Sequence, residues 1–219
     1  MSQALTKGDL TRQALLNAAM ELFGSKGYHA TSVVEITMRA GVAQGTFYIY
    51  FAGKLEIYRA LVDKLTREVR RAIRTKVANL EHRLDIEREG FKAYFAYAKQ
   101  NRSLYRIIRE AEFVDNELYQ RHYRSIAEGY IAGLKKAMEA GQIRSIDPAT
   151  VAYCLMGMGE FMGLRWILWE KKEVSDEDLS ALMDFVFHGI APIVGGQGTT
   201  ASECARVSCG GGSICGENK

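Results

Sequence analysis

Proline is nearly absent, with 2 residues among 219. Proline removes a backbone donor and clashes with the turn before it, so a chain this poor in it can form long unbroken helices. Cysteine is scarce too, at 4 residues, which excludes a small scaffold built from disulfides. No stretch alternates apolar and polar residues for long enough to read as a strand, and no internal repeat recurs. The first residues carry Lys7, Asp9 and Arg12 and lack the apolar run of a leader, so the expected location is the cytoplasm. Residues 151–170, VAYCLMGMGEFMGLRWILWE, have the length of a membrane span. Glu160 and Arg165 fall inside that stretch, a charge at the bilayer centre costs several kcal/mol, and there is no companion span. A helix buried within or between soluble subunits is expected, with no membrane partner.

What is present is the make-up of a globular protein, with 47% hydrophobic and 25% charged residues. Apolar residues recur at helical steps throughout, so the expected fold class is all-α. Leu15, Ala18, Ala19, Leu22 and Phe23 make one stripe in residues 9–26, and Gly27 suits the helix end. Ser32 with Glu35 forms a capping box for a short helix reaching Ala40. Gly41 and Val42 turn the chain, a very short helix spans Gln44 to Tyr50, and a longer one starts near Lys54. Helices over Phe91–Ala98, around Leu104–Ile108, from Asp115 to Gly141, from Asp147–Pro148 and from Ser175 complete the pattern. Three parts are expected: a short-helix domain at 1–53, a larger helical domain at 54–194, and a disordered tail at 195–219, where glycine is frequent and large apolar residues are few.

The net charge of +3 is unevenly spread. Residues 1–76 hold 12 Lys and Arg against 6 Asp and Glu, and 8 of the cations lie in residues 54–76. A basic N-terminal third on a mildly acidic body points to a polyanion at one end, although a solvated basic helix face would look the same.

Helix, glycine turn and short helix is the layout of a helix-turn-helix. A helix of two turns is weak alone and needs bracing, which Val42, Phe47 and Phe51 are placed to supply. That leaves Gln44, Gly45, Thr46, Tyr48 and Tyr50 for contact. A major groove admits one such helix, where Gln44 suits adenine, Thr46 a base edge or thymine methyl, and Gly45 a close backbone approach. The hydroxyls of Tyr48 and Tyr50 suit phosphates, as do Lys54 at the next helix start and Thr31 and Ser32 before the first helix.

The run LFGSKGYHATSV, the AGV turn, GTFYIYF and the following lysine resemble the DNA-binding domain of TetR/AcrR-type bacterial transcriptional regulators. The resemblance covers about residues 9–62. It implies a phosphate contact at Tyr48, a helix-start backbone contact at Lys54 and groove contacts at Gln44 and Thr46. It also implies a homodimer on a palindromic operator, most simply a repressor, released when a small molecule enters the second domain. Three positions depart from the pattern: Ala43 stands where serine often caps, Ile49 where histidine is common, and Gly53 where serine usually precedes the lysine.

In the body, aromatic and sulfur side chains suit either core or an apolar pocket. Phe91, Tyr94, Phe95, Tyr105, His122, Tyr123, Met156, Met162 and Trp166 are the candidate effector residues, with Arg109 as a polar end or, equally, a surface partner of Glu110 or Glu112. LYRIIREAEFV is similar to a stretch of fatty-acid- or acyl-CoA-responsive members. A small apolar effector is expected. Gly159 and Gly163, with Leu182, Val186 and Ile190, are the expected dimer face, intramolecular packing being the alternative. Cys154 reads as a buried small hydrophobe; Cys204, Cys209 and Cys215 lack tight metal-binding pairs, and no cofactor or metal site is expected. The competing classes are an enzyme, which lacks any catalytic constellation here, and a helical carrier or scaffold without DNA binding.

Overall fold

A computed structural model of the protein describes residues 6–190. Among them the order is α1 (Lys7–Lys26), α2 (Val33–Ala40), α3 (Gln44–Tyr50), α4 (Lys54–Val77), α5 (Arg83–Gln100), α6 (Ser103–Val114), α7 (Asn116–Glu139), α8 (Pro148–Gly163) and α9 (Asp176–Ile190), with no strand. The all-α expectation is met. The tail expected from residue 195, with Cys204, Cys209 and Cys215, lies outside the described residues. No described helix is long and apolar enough to cross a membrane.

Local chemistry sets the boundaries. Thr6 with Asp9 caps α1, and Ser32 with Glu35 caps α2, each pair satisfying two free N–H groups. Glu35 also receives the Lys26 ammonium, and that donor, followed by Ser32, holds its carboxyl down to about 2. Gly41 ends α2 at φ 69, a conformation that costs glycine little. Asp147 caps α8 with Pro148 in its first turn. Beyond Gly163 the same helix widens into a π-helical turn over Leu164–Trp169.

Two apolar cores form. The first joins Leu15, Ala19 and Phe23 of α1 to Ile36, Phe47 and Phe51, to Ile57, Tyr58, Leu61 and Leu65 of α4, and to Leu104, Ile107, Ile108 and Ala111 of α6. The second holds Phe91 and Phe95 of α5, Leu134, Leu155, Trp166, Ile167, Leu182, Val186 and Ile190. A boundary at Gly53 therefore passes through a core, because α4 and α6 pack with the three helices before it.

The expected dimer face is corrected. A Cβ on Gly159 would sit 3.2 Å from the Phe91 ring, and one on Gly163 only 1.9 Å from the Tyr105 hydroxyl. These glycines seat aromatic rings of their own chain. Leu182, Val186 and Ile190 are likewise buried in the second core. The opposite sides of the same helices carry Phe161 at 67%, Trp169 at 64% and Phe185 at 67% exposure. Cys154 is exposed rather than buried. α8 is apolar on every side, and periodicity cannot choose an inner face for such a helix.

Candidate nucleic-acid interface

α3 is held from one side only. Phe47 and Phe51 are buried with their ring centroids 5.7 Å apart, and Tyr48 meets Phe47 edge-on at 5.4 Å. Ala43 supplies no side-chain cap. Gln44, Gly45, Tyr48 and Ile49 are exposed, Thr46 and Tyr50 half-buried. A Cβ on Gly45 would meet nothing within 4 Å, so no neighbour among the described residues requires glycine there. The short helix thus presents amide, hydroxyl and bare backbone outward from a rigid apolar base.

Three of the expected contacts are placed differently. Thr31 is buried and its hydroxyl donates to the Gly27 carbonyl at 2.7 Å. Tyr50 is turned toward the start of α1, where a Cβ on Gly8 would lie 3.4 Å from its hydroxyl. Lys54 directs its ammonium at the carbonyls of Thr31, Tyr28 and His29, at 2.8, 2.9 and 3.4 Å, and lies 4.4 Å from the Tyr28 ring centroid. An ammonium has three protons, and here each faces a carbonyl, leaving none for a phosphate. Ser32 stays at the surface, although its hydroxyl serves the Glu35 cap. Sequence spacing could not reveal these partners, since Lys54 folds back 23 residues to reach Thr31.

Of the other cations in residues 1–76, Lys26 pairs with Glu35, Arg39 with Glu21 and Arg59 with Asp115, while Arg12 lies over the Phe51 ring at 5.2 Å. The basic run of α4 turns elsewhere. Lys64, Arg67, Arg70, Arg71 and Arg74, with Arg12 of α1, line the rim of a cavity of about 940 Å³ among α1, α4, α5, α6, α7 and α8. The positive excess expected to face a polyanion at the helix-turn-helix instead surrounds this opening.

Of the candidate effector residues, Phe91, Tyr94, Tyr105, His122, Tyr123 and Met156 line this cavity. Phe95, Met162 and Trp166 belong to the second core instead, Phe95 and Trp166 meeting edge-on at 5.3 Å. Arg109 is exposed on α6 and away from the cavity; neither Glu110 nor Glu112 pairs with it. Sequence reading missed the polar end of the cavity. Arg83 and Glu87 form a buried pair with Nε to Oε1 at 2.7 Å, and the Tyr130 hydroxyl donates to the other carboxylate oxygen. Their i,i+4 spacing on α5 was the available signal. It also missed Glu110, which accepts the Tyr28 N–H at 2.8 Å and so ties α6 to the loop before α2.

His122 is buried with Nδ1 2.7 Å from the Thr66 hydroxyl. That hydroxyl donates to the Val62 carbonyl, so the ring nitrogen carries the hydrogen between them. Burial holds the imidazole down to about 4, from an ordinary 6.5. The unfolded chain therefore takes up a proton that the folded chain refuses, and stability should fall as pH drops from about 6.5 toward 4. In urea titrations at pH 7 and 4.5, His122→Asn should lose less stability on acidification than the wild type. An equal loss would mean that the imidazole is already charged in the fold.

Residues 15–61 match the family model for bacterial regulatory proteins of the tetR family. The chain is 40% identical over 110 residues to the HTH-type transcriptional activator FasR of Mycolicibacterium smegmatis, covering 48% of each chain, so it spans about half of that relative's length. It is 28% identical over 195 residues to the uncharacterised HTH-type regulator YdgC of Bacillus subtilis, covering 85% of this chain and 96% of that one. The solved structure of a candidate fatty acid metabolism regulator from Clostridium perfringens superposes with a TM-score of 0.70 at 26% identity, over 82% of this chain and all of the other.

Proposed function

The chain belongs to the TetR family of bacterial regulatory proteins, and from that premise we propose that it binds a palindromic operator as a homodimer, represses there, and releases it when an acyl effector enters the cavity. It is a DNA-binding transcriptional regulator and not an enzyme. The observation that carries the proposal is the outward face of α3, polar and glycine-bared above buried Phe47 and Phe51. One short helix touches few base pairs, so two copies a helical turn apart are needed for useful affinity. Phe161, Trp169 and Phe185 leave apolar surface on α8, its π-helical end and α9 for a second copy to cover.

The cavity suits an amphiphile. Much of its lining is apolar, with Ile108, Ile126, Leu155 and Phe91 beside the buried Arg83–Glu87 pair, and its size falls within the range of ligand pockets. Of the cations at its rim, Lys64 pairs with Glu68 at 3.9 Å and Arg70 donates to Ser125 at 2.8 Å. Arg67, Arg71 and Arg74 make no ion pair among the described residues. Such a rim favours a phosphate-bearing head over a lone carboxylate, hence an acyl-CoA over the free acid. A ligand spanning α1 and α4 would bias how the helix-turn-helix sits on the body. Coupling of this kind is worth about 1–3 kcal/mol and is reciprocal.

The test is a mobility shift with the full chain on duplexes from its own upstream region, titrated with palmitoyl-CoA, palmitate and free CoA. Retardation at low salt, relieved by palmitoyl-CoA at concentrations where palmitate and CoA leave it intact, is the expected result. Retention of the duplex under all three ligands would end the acyl reading, and no retardation of any duplex would end the operator reading.

A further inference from the structure

We propose that Ile49 is a base-reading residue and that it packs against the 5-methyl group of a thymine in the major groove. The inference rests on the DNA-binding reading of α3 and is independent of the effector. α3 has seven residues, and each advances the direction of its side chain by about 100°. Phe47 and Phe51 mark the buried side. Ile49 points directly away from the midpoint of these two rings, with Gly45 about 40° to one side of it and Tyr48 and Gln44 farther round, all four exposed. Ile49 is 76% exposed and Tyr48 53%. Neither apolar core includes Ile49.

A single exposed isoleucine is ordinary on a protein surface. This one stands at the centre of the outward face, next to a glycine that no packing among the described residues requires, so a partner close enough to reach the backbone at Gly45 must cover Ile49 as it does so. Branching at Cβ confines the side chain to essentially one rotamer in a helix, so ordering it on contact costs little. Isoleucine has no donor or acceptor, which rules out recognition of a phosphate or of a hydrogen-bonding base edge. On the major-groove edges of B-form DNA the apolar feature available to it is the thymine methyl.

The experiment starts from 30-base-pair duplexes selected by the full-length protein from a randomised pool. Each thymine of a selected duplex is then replaced by uracil, which deletes only the methyl group. With the wild type, uracil at one position in each half-site should weaken binding about fourfold, and about fifteenfold when both are replaced. With Ile49→Ala, thymine and uracil probes should bind alike. Alanine is a strong helix former and the site is exposed, so the variant should keep the wild-type thermal midpoint. The inference falls if every uracil duplex binds the wild type as its parent does, or if the uracil penalty persists in Ile49→Ala. It also falls if no duplex is enriched, but that outcome takes the DNA-binding reading with it, whereas a bound duplex indifferent to the methyl group sinks this inference alone.

Discussion

Alanine at position 163 should destabilise this protein by about 2 kcal/mol, even though alanine is the better helix former by about 1 kcal/mol. The added Cβ would lie 1.9 Å from the Tyr105 hydroxyl and 3.0 Å from its ring carbon Cζ. Tyr105 is buried, burial pushes its hydroxyl up to about 12, and among the described residues that hydroxyl has Tyr94 as a polar neighbour but makes no hydrogen bond of good geometry. Its route of escape is into the cavity that the same ring lines. Urea titration should therefore show a lower midpoint at an unchanged slope, and, on the proposed effector reading, ligand titration a weaker response to acyl-CoA. Tyr105→Phe alone should be close to neutral, because it removes a buried hydroxyl that makes no well-formed hydrogen bond among the described residues. Combined with Gly163→Ala it should recover most of the loss, giving a coupling of about 1 kcal/mol or more. If Gly163 instead seated the partner subunit, the variant would fold with full stability and run as a monomer.

Lys54→Met should weaken binding to every duplex by about tenfold or more while leaving the salt dependence of binding unchanged. Methionine keeps the apolar stem and deletes the ammonium that faces the Thr31, Tyr28 and His29 carbonyls. Hydrogen bonds from a charged donor contribute about 1.5–3 kcal/mol, so a stability loss of about 2 kcal/mol is expected as well. Residues 28–31 lead directly into the Ser32 cap of α2, and a loosened loop lets α2 and α3 tilt together against the duplex. Neutralising a phosphate contributes about 0.9 to the slope of log affinity against log salt. A lysine bound to the protein's own carbonyls contributes none of it. A slope that flattens by about 0.9 per protomer in Lys54→Met would return this residue to the phosphate backbone and overturn the structural role.

The parts that were legible in the sequence are the local ones. Ser32 with Glu35, Gly41, and Asp147 with Pro148 each satisfy or release backbone groups within a few residues, and each marks the boundary observed. The bracing of α3 by Phe47 and Phe51 was equally readable, because a two-turn helix leaves few choices for its inner side. What was misread depends on distant partners. The Thr31 hydroxyl points inward to Gly27, Tyr50 leans on α1, and the cations of α4 surround a cavity, although all three residue sets are chemically suited to DNA. Arg109 and Trp166 have the chemistry of pocket residues, but one ends at the surface and the other in the second core.

The amino-acid sequence by itself determined the all-helical class, the helix-turn-helix layout and the bounds of the short helix α3, since caps, glycine turns and periodicity act within one or two turns of chain. Tertiary structure alone decided which side of α8 and α9 faces inward, where the ammonium of Lys54 goes and which aromatic rings enclose the cavity. An apolar face or a charged group accepts many partners, and packing across tens of residues selects among them.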